Sequence, residues 1–444
     1  MKFTKTLCLV LLFPTLLVAQ TSIKATFSPA DDYKWAILYK NTPLKNIYVA
    51  QGKIENGTVE FLLDSTKTKG VYKVVYAAPQ DEYNFDLIYN GNENIELEFN
   101  AKNGITFKQS SGNLMLNSYL VELATIGKEI EAFYINKKTD SLELETLFKR
   151  QLEMQNNFEE KSKNTLAQHF VKANKPYIPS NYEDARTYIN NLTVNYFSSV
   201  DFNNPVLQSS NFLQERSLAY IFGVSNNGMD KASSYNYNID VVSQLVSTTD
   251  SVFQKSFLEK LWNKLVSYNL KDTANYLATT HLIPLAEEQK DTVLVLKLSQ
   301  FKNLSIGSVA PEILWETEKN GLKEQYKLSE LAIAENYILV FWSSGCSHCL
   351  EEIPKLKTLV QSLDKTKYKV IAIGLEDEAI KWEKEAAKYP EFINIIKLKK
   401  WENEIIQTYG LTSTPTYFLL DKDKRFIAKP ESLEDLEKLF DKIK

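Results

Sequence analysis

Hydrophobic and polar positions change rhythm twice along this chain. Between about residues 21 and 110 the apolar positions alternate or cluster in short β-branched runs. Thr58-Val-Glu-Phe-Leu-Leu63, Val71-Tyr-Lys-Val-Val-Tyr76 and Ile95-Glu-Leu-Glu-Phe99 are the clearest. Asn56-Gly57, Asn90-Gly91 and Asn103-Gly104 punctuate them as tight turns. The spacing predicts a small antiparallel sandwich or barrel over 21–110. From 113 to 300 glycine nearly vanishes, leaving only Gly127, Gly223 and Gly228. Apolar residues there recur at helical spacing over 114–135, 141–163, 212–221 and 239–268. Pro176, Pro179, Pro205 and the Ser225-Asn-Asn-Gly228 turn interrupt the pattern. This stretch reads as an all-helical domain. Its aromatic residues, among them Tyr188, Tyr196 and Trp262, read as core, and the isolated His169 and His281 as structural or surface residues.

From about 304 to 444 the rhythm alternates between strand and helix. Strands are predicted at 337–342, 368–374, 393–398, 416–420 and 425–429. Helices are predicted at about 347–363, 378–389, 401–409 and 432–443. Ser432 followed by Asp435 resembles a capping box for the last of these. The run Leu419 to Arg425 reads as a hairpin joining the two final strands. The expected organisation is thus multidomain: a small all-β domain, a helical middle domain and a C-terminal α/β domain.

The N-terminus reads as a secretory signal over 1–19. Lys2 and Lys5 give it a positive start, Leu7 to Val18 is mostly apolar, and Ala19 offers a small residue for cleavage. Leu7 stands where a lipoprotein signal has a small residue, which argues against a lipid anchor at Cys8. The expected product is a periplasmic protein with no membrane span. A length of 444 residues suits roughly three domains. The net charge of −4 gives no electrostatic footprint for nucleic acid.

Chemistry concentrates at Cys346-Ser-His-Cys349. The motif follows the apolar run Tyr337-Ile-Leu-Val-Phe-Trp342 and precedes a helical stretch. Two thiols three positions apart at a helix start can close a disulfide and reopen it. Unpaired backbone N–H groups at that end favour the thiolate of the first cysteine. Of three cysteines in the chain, Cys8 lies in the expected signal, so the mature protein would hold only the motif pair. A fixed disulfide is one alternative, although so short a loop constrains the unfolded chain little. A zinc site is another. It needs four ligands, and beside these two cysteines stand only His169, His281 and His348.

Several separated motifs in the C-terminal third resemble the thioredoxin fold, and within it the TlpA/ResA-like exported thiol–disulfide oxidoreductases. They are Gly307-Ser-Val-Ala-Pro311, Leu328-Ser-Glu-Leu331, Phe341-Trp-Ser-Ser-Gly-Cys-Ser-His-Cys349, Glu352-Ile-Pro354 and Thr414-Pro415-Thr416. The upstream zones look like the β-domain and helical spacer that precede thioredoxin modules in some exported bacterial proteins, with Tyr196-Phe-Ser-Ser-Val-Asp-Phe202 as the most similar segment. The resemblance implies an attacking thiol at Cys346, a resolving thiol at Cys349 and a cis proline at Pro415. It implies protein thiol or disulfide clients, a redox partner that recycles the site, and no cofactor. Thioredoxin carries a buried acid two residues before the motif tryptophan, where this chain has Val340. Glu352 is the candidate for that role. Gly345 stands where thioredoxin has an aromatic residue, which widens access. His348, when protonated, would favour the Cys346 thiolate and make the disulfide more oxidising.

Two other functions remain in view. A thiol peroxidase shares the scaffold, but the peroxidatic P-x-x-x-[T/S]-x-x-C signature is absent. A ligand- or partner-binding protein would use the upstream domains, with thiols of minor importance or holding a soft metal such as Cu(I).

Overall fold

A computed structural model describes residues 21–443 apart from Ser65, Asn227, Asn320, Gly321 and Lys365. The expected export signal and Cys8 lie outside the described residues. The chain divides into two compact units, one ending at Leu261 and the other beginning at Trp262.

In the first unit, alternation in the sequence becomes a two-layer β structure. Its strands are β1 (Thr21–Ser28), β2 (Trp35–Asn41), β3 (Asn46–Lys53), β4 (Thr58–Leu63), β5 (Gly70–Val75), β6 (Asn84–Tyr89), β7 (Ile95–Asn100) and β8 (Gly104–Gln109). They form sheets ordered β4-β1-β7-β8 and β3-β2-β5-β6. Successive side chains of a strand point to opposite faces. Ile23, Ala25 and Phe27 of β1 therefore turn inward together and share one core with Leu38, Phe61, Tyr72, Val74 and Leu97. One pairing departs from the predicted antiparallel order. β1 and β7 run parallel, from Ile23 opposite Ile95 to Ser28 opposite Asn100. Parallel partners are distant in sequence, so no turn signal announces them. Only Asn103-Gly104 joins neighbours within one sheet, β7 and β8. The other two Asn-Gly pairs carry the chain from one sheet to the other.

The helices that follow are α1 (Ser111–Ile135), α2 (Ser141–Lys161), α3 (Ala167–Ala173), α4 (Ala185–Val194), α5 (Pro205–Gln208), α6 (Phe212–Gly223), α7 (Lys231–Val246) and α8 (Ser251–Ser267), which contains the dividing point. The periodic run at 239–268 is two helices rather than one. The Asp250 carboxylate accepts from the backbone N–H groups of Val252 and Phe253 at 2.9 and 3.3 Å. That cap starts a new helix where periodicity alone would continue the old one. A polar cluster ties the residue before α6 to the sheet. Lys73 donates to Asn84 and Asn211 at 3.1 and 2.7 Å and lies 3.6 Å from Asp86. Asp86 in turn accepts from the Asn211 backbone N–H at 2.6 Å and the Asn41 amide at 3.0 Å.

The second unit holds α9 (Lys271–Leu277), α10 (Ile283–Glu288) and α11 (Thr292–Asn303) ahead of its sheet. Next comes an unpredicted hairpin, β9 (Leu314–Lys319) with β10 (Leu322–Lys327). Its many charged residues mask the strand pattern. The main sheet comprises β11 (Asn336–Trp342), β12 (Tyr368–Glu376), β13 (Ile393–Leu398), β14 (Thr416–Asp421) and β15 (Phe426–Ala428), ordered β13-β12-β11-β14-β15. β11, β12 and β13 are parallel, whereas β14 and β15 are antiparallel. α12 (Ser347–Gln361), α13 (Ala379–Ala386), α14 (Glu404–Thr408) and α15 (Leu433–Ile443) accompany it. This is the thioredoxin-like arrangement that the resemblance implies. β11 is central and covered on both faces. Tyr337, Leu339 and Phe341 join a core with Ile405 and Tyr409, while Ile338, Val340 and Trp342 join another with Leu356 of α12 and Phe440 of α15. A strand buried on both sides needs an unbroken apolar run, which is what the sequence supplies.

Gly374 of β12 marks the tightest approach in this sheet. A methyl group there would lie 2.0 Å from Nε1 of Trp382 on α13. Gly374→Ala is therefore expected to destabilise the protein by about 1–3 kcal/mol through overpacking. Denaturant unfolding measures this, and an unchanged midpoint would mean that α13 shifts freely.

Candidate active site

Ser343-Ser344-Gly345 leaves the end of β11 and turns the chain into α12. The turn is held from two sides. The Ser344 N–H donates to the buried Glu376 carboxylate at the end of β12, at 2.5 Å. The Cys346 N–H donates to the Ser343 carbonyl at 3.1 Å. A Cβ at Gly345 would meet only Ser343 Oγ, at 3.6 Å, so the glycine leaves open space beside the motif.

Cys346 occupies the N-cap of α12. Its Sγ accepts from the Cys349 backbone N–H at 3.1 Å, where a serine or aspartate oxygen commonly caps a helix. The same sulfur lies 3.5 Å from the Thr414 carbonyl oxygen. That contact brings the proline loop beside the first thiol, and the Thr414–Pro415 peptide in it is cis. Both cysteines are free thiols; Cys346 is partly exposed and Cys349 buried.

The two thiols are driven apart in acidity. Burial works against the Cys346 thiolate, but hydrogen bonds from the Cys349 thiol and backbone N–H, from the Thr414 side-chain hydroxyl and from the His348 backbone N–H outweigh it. The Cys346 pKa is held below the ordinary thiol value. Burial, followed by the hydrogen bond to Cys346, pushes Cys349 up to about 12. Its thiol therefore stays protonated at neutral pH.

Glu352 lies one helical turn beyond Cys349 and is buried at 9 % exposure. The Tyr417 hydroxyl of β14 donates to Glu352 Oε2 at 2.7 Å. His348 Nε2 stands 3.3 Å from Glu352 Oε1, with its side chain 64 % exposed. A hydrogen bond to a charged group contributes about 1.5–3 kcal/mol, against about 0.3–0.5 kcal/mol for an exposed pair four residues apart on a helix. Tyr417 therefore fixes the carboxylate more firmly than His348 does. The His348 ring faces Glu352, and the hydrogen bond from His348 to Cys346 comes from its backbone N–H.

All five residues singled out in the sequence, Cys346, His348, Cys349, Glu352 and Pro415, thus lie at this corner. Two polar contributors went unrecognised. Glu376 follows the apolar run 370–375 at the end of its strand, and that lone acid is its signal. Tyr417 follows Pro415 by two positions and pairs in register with Val340, where an acid was sought. The other two histidines lie elsewhere in the chain: His169 Nδ1 is 2.8 Å from the Asn204 amide, and His281 lies on the helical turn ahead of α10. Among the described residues no group of three or more His, Cys, Asp or Glu side chains is arranged to hold a metal ion. No described helix is long and apolar enough to cross a membrane.

Comparison with known proteins covers this corner. A family described as thioredoxin-like matches residues 335–426. The thiol-disulfide oxidoreductase ResA of Bacillus thuringiensis strain Al Hakam is 30% identical over 150 residues, which cover 32% of this chain and 80% of that protein. ResA of Geobacillus kaustophilus is 25% identical over 144 residues, covering 32% of this chain and 79% of that one. Among solved structures, a domain of a possible thiol-disulfide isomerase from Cytophaga hutchinsonii is 29% identical. It covers 32% of this chain and 93% of its own, with a TM-score of 0.28.

The split in acidity has a direct chemical readout. Iodoacetamide should modify Cys346 first, and its rate should fall with pH through a midpoint below the roughly 8.5 of a free thiol. Cys349 should stay protected at neutral pH and react only toward pH 12. Peptide mapping after timed quenching distinguishes the two, and equal rates would contradict the geometry.

Proposed function

We propose that this chain, which belongs to the thioredoxin-like thiol–disulfide oxidoreductases, is exported and exchanges disulfides with protein clients through Cys346 and Cys349. The observation that carries this reading is the pair itself: a partly exposed, acidified thiol on a helix N-cap, three residues before a buried thiol of high pKa. An attacking group needs thiolate and access, and a resolving group needs to wait.

In the forward direction the Cys346 thiolate attacks one client sulfur. A Cys346–client disulfide forms, and the other client sulfur leaves as a thiolate that takes a proton from solvent. Cys349 then loses its proton, attacks Cys346 Sγ and releases the second client thiolate. The protein ends as the Cys346–Cys349 disulfide, two electrons poorer, and the client as a dithiol. A separate reductant must return the site to the dithiol, and an oxidant would drive the cycle backwards. Formation of the mixed disulfide removes the Cys346 thiolate and its hydrogen bond, both of which hold Cys349 protonated. Only burial then opposes ionisation, so attack by Cys346 prepares the second step. The cis-proline loop at Pro415 offers backbone groups to an extended client segment. The open space at Gly345 suits a folded protein better than a small peroxide. Domains at 21–110, 113–300 and 304–444, with a signal at 1–19 and a periplasmic location, complete the reading.

Cys349→Ser is expected to accumulate mixed disulfides with clients, visible as dithiothreitol-sensitive adducts, while Cys346→Ser forms none. Wild type should reduce insulin in the presence of dithiothreitol. Failure of both variants to trap any protein would remove the client reading.

His348 adds a cation close to the thiols when protonated. His348→Ala is expected to lower the reduction potential by on the order of tens of millivolts, since about 30 mV corresponds to a tenfold change in this two-electron equilibrium. Redox titration against glutathione reads the difference. A potential that stays level would leave tuning to the backbone N–H groups.

A further inference from the structure

In thioredoxin the buried acid belongs to the strand that becomes β11 here, at the position of Val340. Val340 is apolar and wholly buried, and its register partner across the sheet is Tyr417 of β14. Both side chains join the core that contains Cys349. The Tyr417 hydroxyl leaves that core toward α12 and ends 2.7 Å from Glu352 Oε2. The polar group near the thiols is thus composed of two parts, a carboxylate from the helix and a hydroxyl from the neighbouring strand.

We propose that Tyr417 is a positioning residue for the resolving step, holding the Glu352 carboxylate one turn below Cys349 so that it can take the Cys349 proton. This rests on the exchange reading above. Two polar groups meet the carboxylate, Tyr417 from β14 and His348 from its own helix. Of its two polar partners, Tyr417 is buried at 1 % exposure, whereas the His348 side chain is largely in solvent. Only the tyrosine can therefore set the carboxylate's direction. Burial, and next the hydrogen bond to Glu352, raise the Tyr417 pKa far above its ordinary value, with both thiols adding to the effect. The phenol consequently remains a hydrogen-bond donor and never competes with Glu352 for the proton. In the step itself the Cys349 S–H proton passes to Glu352. The resulting thiolate attacks Cys346 Sγ, the Cys346–Cys349 bond forms, and the electron pair of the broken Cys346–client bond departs with the client sulfur.

Stopped-flow reaction of the reduced full chain with Ellman's reagent separates the two steps. The first release of thionitrobenzoate reports attack by Cys346, and the second reports resolution by Cys349. Tyr417→Phe keeps the ring and removes the hydroxyl. It should leave the first phase near the wild-type rate and slow the second about tenfold, the effect of one lost charge-assisted hydrogen bond. Glu352→Gln should slow the second phase at least as much. Adding Tyr417→Phe to Glu352→Gln should then cause no further loss, because the tyrosine acts through the carboxylate. In infrared spectra the carboxylate band that Glu352→Gln removes should shift in Tyr417→Phe. Substitution of 3-fluorotyrosine, which conserves shape and strengthens the donor, should shift the same band if Tyr417→Phe does not fold.

A wild-type second phase in Tyr417→Phe overturns the proposal. So does equal slowing of both phases, equal slowing in the presence and absence of Glu352, or an unmoved infrared band. Failure of the wild-type chain to release a second equivalent would instead count against disulfide exchange by this pair.

Discussion

One hydrogen bond organises the chemistry of this protein: the Cys349 backbone N–H to Cys346 Sγ, at 3.1 Å across the first turn of α12. A helix start presents N–H groups with no partner of their own, and a sulfur in the cap position receives them. Anionic charge is stabilised at that sulfur. Much of the second unit serves to keep that sulfur there. β11 is clamped between two cores and delivers the turn at a fixed point. Glu376 holds Ser344, and Thr414 closes the far side. Three residues further on, the second thiol has turned inward, and burial reverses the sign of the effect. A single helical turn therefore separates an acid thiol from a reluctant one.

The sequence made the C-terminal third readable because its signals are local and mutually consistent. An unbroken apolar run identified the doubly covered strand, and C-x-x-C at the following helix start identified the site. Signals failed where partners are distant or where polar side chains override periodicity. Nothing near Ile23 indicates that it will lie parallel to Ile95. Asp250 breaks a helical pattern that apolar spacing alone would carry through. Charged residues conceal the β9–β10 hairpin. In the site, cysteines and proline could be recognised from spacing, but Tyr417 could not. Its importance arises from register with Val340, a property of the sheet that no linear motif records.

Glu352 illustrates how a buried charge is made tolerable. Removal of a carboxylate from water is costly unless its oxygens are partnered. Here one oxygen meets a rigid phenol and the other an imidazole at the protein surface. The first contact fixes direction, and the second communicates with solvent. A proton delivered to this carboxylate thus has an exit that does not cross the apolar core.

The cluster of Lys73, Asp86, Asn84 and Asn211 in the first unit has a different consequence. Apolar layers are forgiving, because a helix resting on a greasy sheet loses little by sliding a fraction of a turn. A half-buried ammonium and carboxylate that share amide partners allow no such freedom, since every displaced geometry leaves a polar group unsatisfied. These residues act as a key in a lock and reject wrong alignments more than they strengthen the right one. Replacing them with leucine and methionine of similar volume would leave a layer that still adheres but no longer knows at which angle to stop.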